Sequence, residues 1–147
     1  MAQSYKTATV NMKIYTSYFG NHRQLERKNI MMVAVSLSVP TGFKGPHLPE
    51  LAPTQNILLM KNAPGNYRKY YRMFILDRLN AQEIVEKIRR IGKGRDIALC
   101  CYEKTGSFCH RQLIAEWLNK KTGVNIVEFT CDSTTDERKQ PQEGSLF

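Results

Sequence analysis

A chain of 147 residues has room for one ordinary domain with a real core, and 41% hydrophobic against 24% charged residues is a globular composition. No apolar run approaches the roughly 18 residues that a membrane-spanning helix needs. The opening MAQSYKTATVNMK lacks the continuous apolar segment of a secretory signal, so the expected location is cytoplasmic, and the formal charge of +9 points to phosphate-bearing or acidic partners rather than basic ones.

Residues 12–16 are short and β-prone and run into SYFGN, which reads as a strand ending in a loop, with a short helical turn over residues 24–28. Residues 30–37, IMMVAVSL, are almost unbroken apolar sequence, the pattern of a strand covered on both faces. Four prolines with Gly42 and Gly45 then make residues 40–53 an irregular loop. Residues 55–60, QNILLM, read as another strand. After Pro64-Gly65, the aromatic residues Tyr67, Tyr70, Tyr71 and Phe74 recur at helical spacing, which suits a core stripe better than a base-stacking face. A second helix over residues 81–91 turns Ile84, Val85 and Ile88 inward and stops at Gly92-Lys93-Gly94.

Residues 96–102, DIALCCY, form a further buried strand, followed by a glycine-bearing loop, a helix from about residue 109, and a last short strand over residues 124–129. Strands alternating with helices predict a three-layer, Rossmann-like α/β fold around a mainly parallel sheet of 4–5 strands. Residues 1–130 would make the single domain, and residues 131–147, with no periodicity, a flexible tail.

In such a sheet the loops after the strands gather at one edge, and ligands bind there. The loop over residues 103–111 runs into a helix N-terminus, whose free N–H groups favour an anion; Gly106 gives the backbone freedom, and Ser107 and the Arg111 fork add donors. Cys109 stands where a thiolate is stabilised and is a candidate nucleophile or a small loop filler. Because His110 precedes Leu113, Ile114 and Trp117 by three, four and seven residues, it points inward. There it closes a hydrogen bond to backbone, Glu103 or Ser36, or it transfers protons. Arg111 is the favoured phosphate contact. The four cysteines are expected as free thiols, and with neither Cys-x-x-Cys nor His-x-x-x-His no metal and no cofactor is expected.

The block LCCYEKTGSFCHRQLIAEWLN is similar to the signature of the bacterial and phage family catalogued as domain of unknown function 488. In that family a buried strand ends in Cys-Tyr-Glu-Lys, and Cys-His-Arg then opens a helix. IYTSYFGN, VAVSLSVP with its following GF, LAPTQNILLMK and YRKYYRMFILDRLN resemble earlier segments of the same family in order, so the likeness spans residues 12–129. It implies a Rossmann-like domain in which Thr16, Ser17, Ser36, Glu103, Cys109, His110 and Arg111 converge on one pocket. Where many members end the second strand in Asp-Val-Arg, this chain has Ala34-Val35-Ser36 and so lacks an acid and a cation.

Three functions compete. The first is a hydrolase or transferase, or a sensor, for a nucleotide or other phosphorylated metabolite, with Arg111 and the loop amides on phosphate, Glu103 or His110 handling protons, and Cys109 as nucleophile. The second is a nucleic-acid-binding accessory protein. Residues 61–95 hold ten Lys or Arg against three acids, and Arg68, Lys69, Arg72, Arg89, Arg90, Lys93 and Arg95 would carry the contact. The third is a protein that sequesters a partner without catalysis.

Overall fold

The computed structural model describes residues 12–130. The expected tail over residues 131–147, and Cys131 with it, lies outside the described residues.

Four strands form the sheet: β1 (Ile14–Tyr18), β2 (Met31–Ala34), β3 (Ile97–Cys101) and β4 (Val127–Glu128), in the order β2-β3-β1-β4, all parallel. Ile97 opposes both Ile14 and Met31, and Cys100 opposes both Ser17 and Ala34, so β3 sits at the centre of the register. Each of its five residues is buried, as an unbroken IALCC run requires of a strand covered on two faces. Between the strands lie α1 (His22–Arg27), α2 (Gln55–Leu58), α3 (Pro64–Phe74), α4 (Ala81–Gly92) and α5 (His110–Thr122).

The two faces are unequal. On one, Val33, Ile97 and Leu99 pack with Ile57 of α2, Tyr67 and Tyr71 of α3, Ile84, Val85 and Ile88 of α4, and Leu113, Ile114 and Trp117 of α5. On the other, Ala34, Ala98 and Cys100 meet Leu25 of α1 together with Phe19, Ile30 and Phe129. Small side chains on that face let a single short helix cover it. The three-layer expectation therefore holds with a thick layer and a thin one.

Helix boundaries follow local chemistry. The Asn80 side chain accepts the Glu83 N–H at 3.0 Å to start α4, and Lys93 (φ 49°) with Gly94 (φ 93°) unwinds its end. Of the aromatic stripe, Tyr67 and Tyr71 are buried while Phe74 is exposed, so the stripe is mainly core.

Residues 55–60 correct the sequence reading: they are helical, not a strand. The Thr54 hydroxyl accepts the Ile57 N–H at 3.2 Å and starts a turn, burying Ile57 while Leu59 stays 75% exposed. The sheet edge that such a strand would have joined is already used. Ala34 N–H donates to Pro46 C=O at 2.9 Å and Leu48 N–H to Ala34 C=O at 2.8 Å, which lays the loop around His47 beside β2. No helix among the described residues is long and apolar enough to cross a membrane.

Tyr71 ties that loop to α3, its hydroxyl donating to the Leu51 carbonyl at 2.6 Å in a fully buried setting. Tyr71→Phe strands the carbonyl, so a loss of about 1–3 kcal/mol is expected in urea unfolding with the m-value unchanged. A loss within about 0.3 kcal/mol would mean that the loop does not depend on this bond.

Candidate functional site

The loops after β1, β2 and β3 are held together at the carboxyl edge of the sheet by aromatic contacts. Phe19 packs edge-on against Phe43, with ring centroids 5.3 Å apart, and against Tyr102 at 5.0 Å. Under this edge, α5 begins at the Cys109–His110 junction. Cys109 is extended (φ −157°, ψ 152°), and its N–H donates to Gln112 Oε1 at 3.3 Å, which orders the first turn.

His110, Cys109, Glu103 and Ser36 line one cavity of about 90 Å³ together with Lys61, Tyr67, Cys101 and the exposed Leu37 and Tyr102. His110 is 3% exposed, as helical phase predicts, and its Nε2 lies 2.7 Å from Val35 C=O. A carbonyl can only accept, so Nε2 carries the proton, and Nδ1 turns its lone pair toward Cys109 Sγ, 3.6 Å away. Burial pushes the imidazole down to about 4, against the opposing pull of the Val35 carbonyl. Tyr71 stacks edge-on against the ring at 5.5 Å. Tyr67 stays a phenol, its pKa raised by burial and then by the Glu103 charge. Glu103 pairs with Lys61 at the cavity mouth. Ser36 Oγ donates to Ser38 C=O at 2.5 Å.

Cys101 joins this group from the end of β3. Its sulfur meets that of Cys109, yet the two Cα atoms are 7.8 Å apart, whereas relaxed disulfides span roughly 4.4–6.8 Å. The expectation of four separate thiols is thus corrected: these two cysteines form an adjacent pair, and a relaxed covalent bridge would need backbone movement. Cys100 is apart from them, buried against the thin layer, with burial pushing its thiol up to about 12. Cys101 Sγ, Cys109 Sγ and a ring nitrogen of His110 all lie within 4.8 Å of one another.

Arg111 lies elsewhere. It is fully buried, and its guanidinium is committed: Nε and Nη2 donate to Glu128 Oε1 and Oε2 at 3.1 and 2.8 Å, while Nη1 donates to Glu103 C=O at 2.6 Å and to Cys101 Sγ at 3.0 Å. Thr16 and Thr105 hydroxyls donate to the same carboxylate at 2.6 and 2.7 Å. Burial pushes the Glu128 carboxyl up, but these hydrogen bonds together hold it below its ordinary value.

The expected convergence on one pocket is therefore divided. Ser36, Glu103, Cys109 and His110 share the cavity; Thr16 and Arg111 meet at Glu128; Ser17 is buried and accepts from Asn21 Nδ2 at 3.1 Å. Gly106 (φ 98°) and Ser107 are exposed in the loop, where the Ser107 carbonyl accepts from Gln112 Nε2 at 3.2 Å. Among the cations, Arg68, Lys69 and Arg72 line one shallow cleft of about 390 Å³, Arg89 and Arg95 line two others, and Arg90 and Lys93 are exposed. The sequence reading missed Glu128, Lys61, Cys101 and Tyr67. Glu128 alone left a trace, as an acid inside the short β-prone run NIVEF.

Compared with known proteins, residues 14–122 match the family model DUF488-N3a, described as the active DUF488-N3 subclade. No curated protein and no solved structure matches the chain.

Two outcomes follow from this geometry. Glu128→Gln leaves a buried guanidinium without its counter-charge, so a loss of roughly 3–5 kcal/mol is expected in denaturant unfolding; a loss below about 1 kcal/mol would show that the pair is dispensable. For His110 the unfolded ring takes a proton near pH 6.5 and the folded ring only near about 4. Stability therefore falls as pH drops through that window, by on the order of 3 kcal/mol in all. His110→Gln should flatten the slope of unfolding free energy between pH 6.5 and roughly 4.5, and an unchanged slope would contradict the buried neutral ring.

Proposed function

The chain belongs to the DUF488 family, and from that footing we propose that the cavity above β2 and β3 binds, and as a hydrolase or transferase processes, a nucleotide or other phosphorylated small metabolite. The observation that carries the reading is the meeting of a thiol, an imidazole with a free lone pair, a carboxylate and a lysine in one cavity at the carboxyl edge of a parallel sheet. The family description's word "active" supports turnover rather than a vestigial pocket.

In this reading Cys109 is the nucleophile, with its proton taken by His110 Nδ1, which the Val35 contact holds in the accepting tautomer. Glu103 serves as the second proton-handling group. Phosphate recognition falls to Lys61 rather than Arg111, because the Arg111 fork is already filled. At about 90 Å³ the cavity takes a small reacting group, with the rest of the ligand lying across Leu37 and Tyr102 at the mouth. Nucleic-acid binding through the basic face has less support, since its cations are spread over separate clefts. Partner sequestration without catalysis would leave the thiol–imidazole pair without a role.

Reduced protein should be incubated with a panel of nucleosides, nucleotides and sugar phosphates and followed by thermal shift and product analysis. The expected result is stabilisation by a phosphorylated member, lost in Lys61→Ala, with turnover at least a hundredfold lower in Glu103→Gln and Cys109→Ala. No shift and no product across the panel would sink the proposal.

A further inference from the structure

We propose that Cys101, Cys109 and His110 form a three-ligand site for a thiophilic divalent cation, best zinc, whose fourth position opens into the cavity. The inference shares its pocket with the function proposed above but does not depend on which metabolite binds there.

The donor set is drawn from two elements. Cys101 ends β3, and Cys109 and His110 stand where the following loop enters α5, so eight residues separate the two sulfurs in sequence. That spacing is why a search for short paired motifs does not detect the site. All three side chains are buried, and their donor atoms lie within 4.8 Å of one another. Two thiolates and one imidazole are the soft and borderline donors that zinc takes, at about 2.3 Å for sulfur and 2.0–2.1 Å for nitrogen.

Three independent features prepare these residues as ligands. His110 donates Nε2–H to the Val35 carbonyl at 2.7 Å, the outer hydrogen bond that metal-binding histidines almost always make, and it leaves Nδ1 facing the sulfurs. Cys101 Sγ receives an N–H from Arg111 at 3.0 Å, and Cys109 stands at the N-terminus of a 13-residue helix; both settings favour thiolate. Charge also balances. Two thiolates neutralise a divalent ion, while Arg111 is already neutralised by Glu128, so loading the site buries no net charge.

The Cα separation of 7.8 Å exceeds that of relaxed disulfides and suits two cysteines reaching for a shared ion. The fourth side of the cluster is the cavity of about 90 Å³, which has room for a water, whose share of liquid volume is about 30 Å³, and which also holds Glu103 and Tyr67. Three protein ligands with an open position is the pattern of catalytic rather than structural zinc.

The test is to titrate reduced, chelator-stripped full-length protein with cobalt(II), reading thiolate-to-cobalt charge-transfer absorption, and then to displace cobalt with zinc(II). Saturation at a single ion per chain, reversed by zinc, is the expected result. Cys101→Ser and Cys109→Ser should each remove most of the charge-transfer band, and His110→Gln should weaken binding at least tenfold, whereas Cys100→Ala should leave the titration unchanged. Near-UV circular dichroism of each variant separates loss of a ligand from loss of the fold. Absence of the band in folded, reduced wild-type protein overturns the proposal, as does a band that survives in the Cys101→Ser, Cys109→Ser double variant. Repeating the metabolite panel in chelator keeps the two readings distinct: a ligand shift without a cobalt signal defeats the metal site alone, and a cobalt signal without any ligand shift defeats the metabolite reading alone.

Discussion

A buried arginine is the constraint around which the carboxyl edge of this sheet is arranged. A guanidinium removed from water must find partners for its N–H groups and a counter-charge, or the fold loses several kcal/mol. Arg111 obtains both from places distant in sequence: the Glu128 carboxylate on β4, the Glu103 carbonyl after β3, and the Cys101 sulfur. Because β4 is only two residues long, its ladder to β1 alone is a weak anchor, and the bidentate pair with Arg111 fastens it from the side. Thr16 and Thr105 then fix the carboxylate's remaining lone pairs. The loop after β3, the first turn of α5 and β4 are thereby one unit.

That unit determines which side of α5 can do chemistry. Arg111 turns toward β4, and His110, about 100° away around the helix, turns toward β2, where the Val35 carbonyl meets it. The helix start thus separates a structural ion pair from a reactive pocket. Cys101 touches both, since its sulfur contacts Arg111 on one side and Cys109 on the other. The cavity and the ion pair are accordingly coupled through the end of β3, not through the solvent.

Much of this was legible in the sequence, and the reasons differ by element. The buried strands were readable because two-sided burial demands continuous apolar runs, as in residues 30–37 and 96–102. His110's inward direction was readable because helical phase is a local property, fixed by Leu113, Ile114 and Trp117. Residues 55–60 misled because a short apolar run has no period of its own, and only the occupied edge beside β2 decides against a strand. Arg111's fate was not legible for a different reason. Phase places it on the helix flank, but whether a flank meets solvent or a carboxylate depends on where β4 lands, and that is a long-range fact. The same holds for Cys101, whose alternation within β3 says which face it takes but not that the next element returns to it.

The contrast between the two ion pairs carries the argument about ligand recognition furthest. Arg111–Glu128 is buried on the cation's side, so separating it would expose an unpaired charge to a low dielectric, and no ligand phosphate could compete without dismantling the edge. Lys61–Glu103 sits at the cavity mouth with the lysine side chain 43% exposed, and pairs of that kind are worth about 0–1 kcal/mol. An incoming anion can therefore take Lys61 at little cost and in the same step free the Glu103 carboxylate, which faces the His110 side of the cavity. Binding and the release of a proton acceptor would be one event. The weaker of the two salt bridges is for that reason the functional one, and the stronger one is what keeps its surroundings in place.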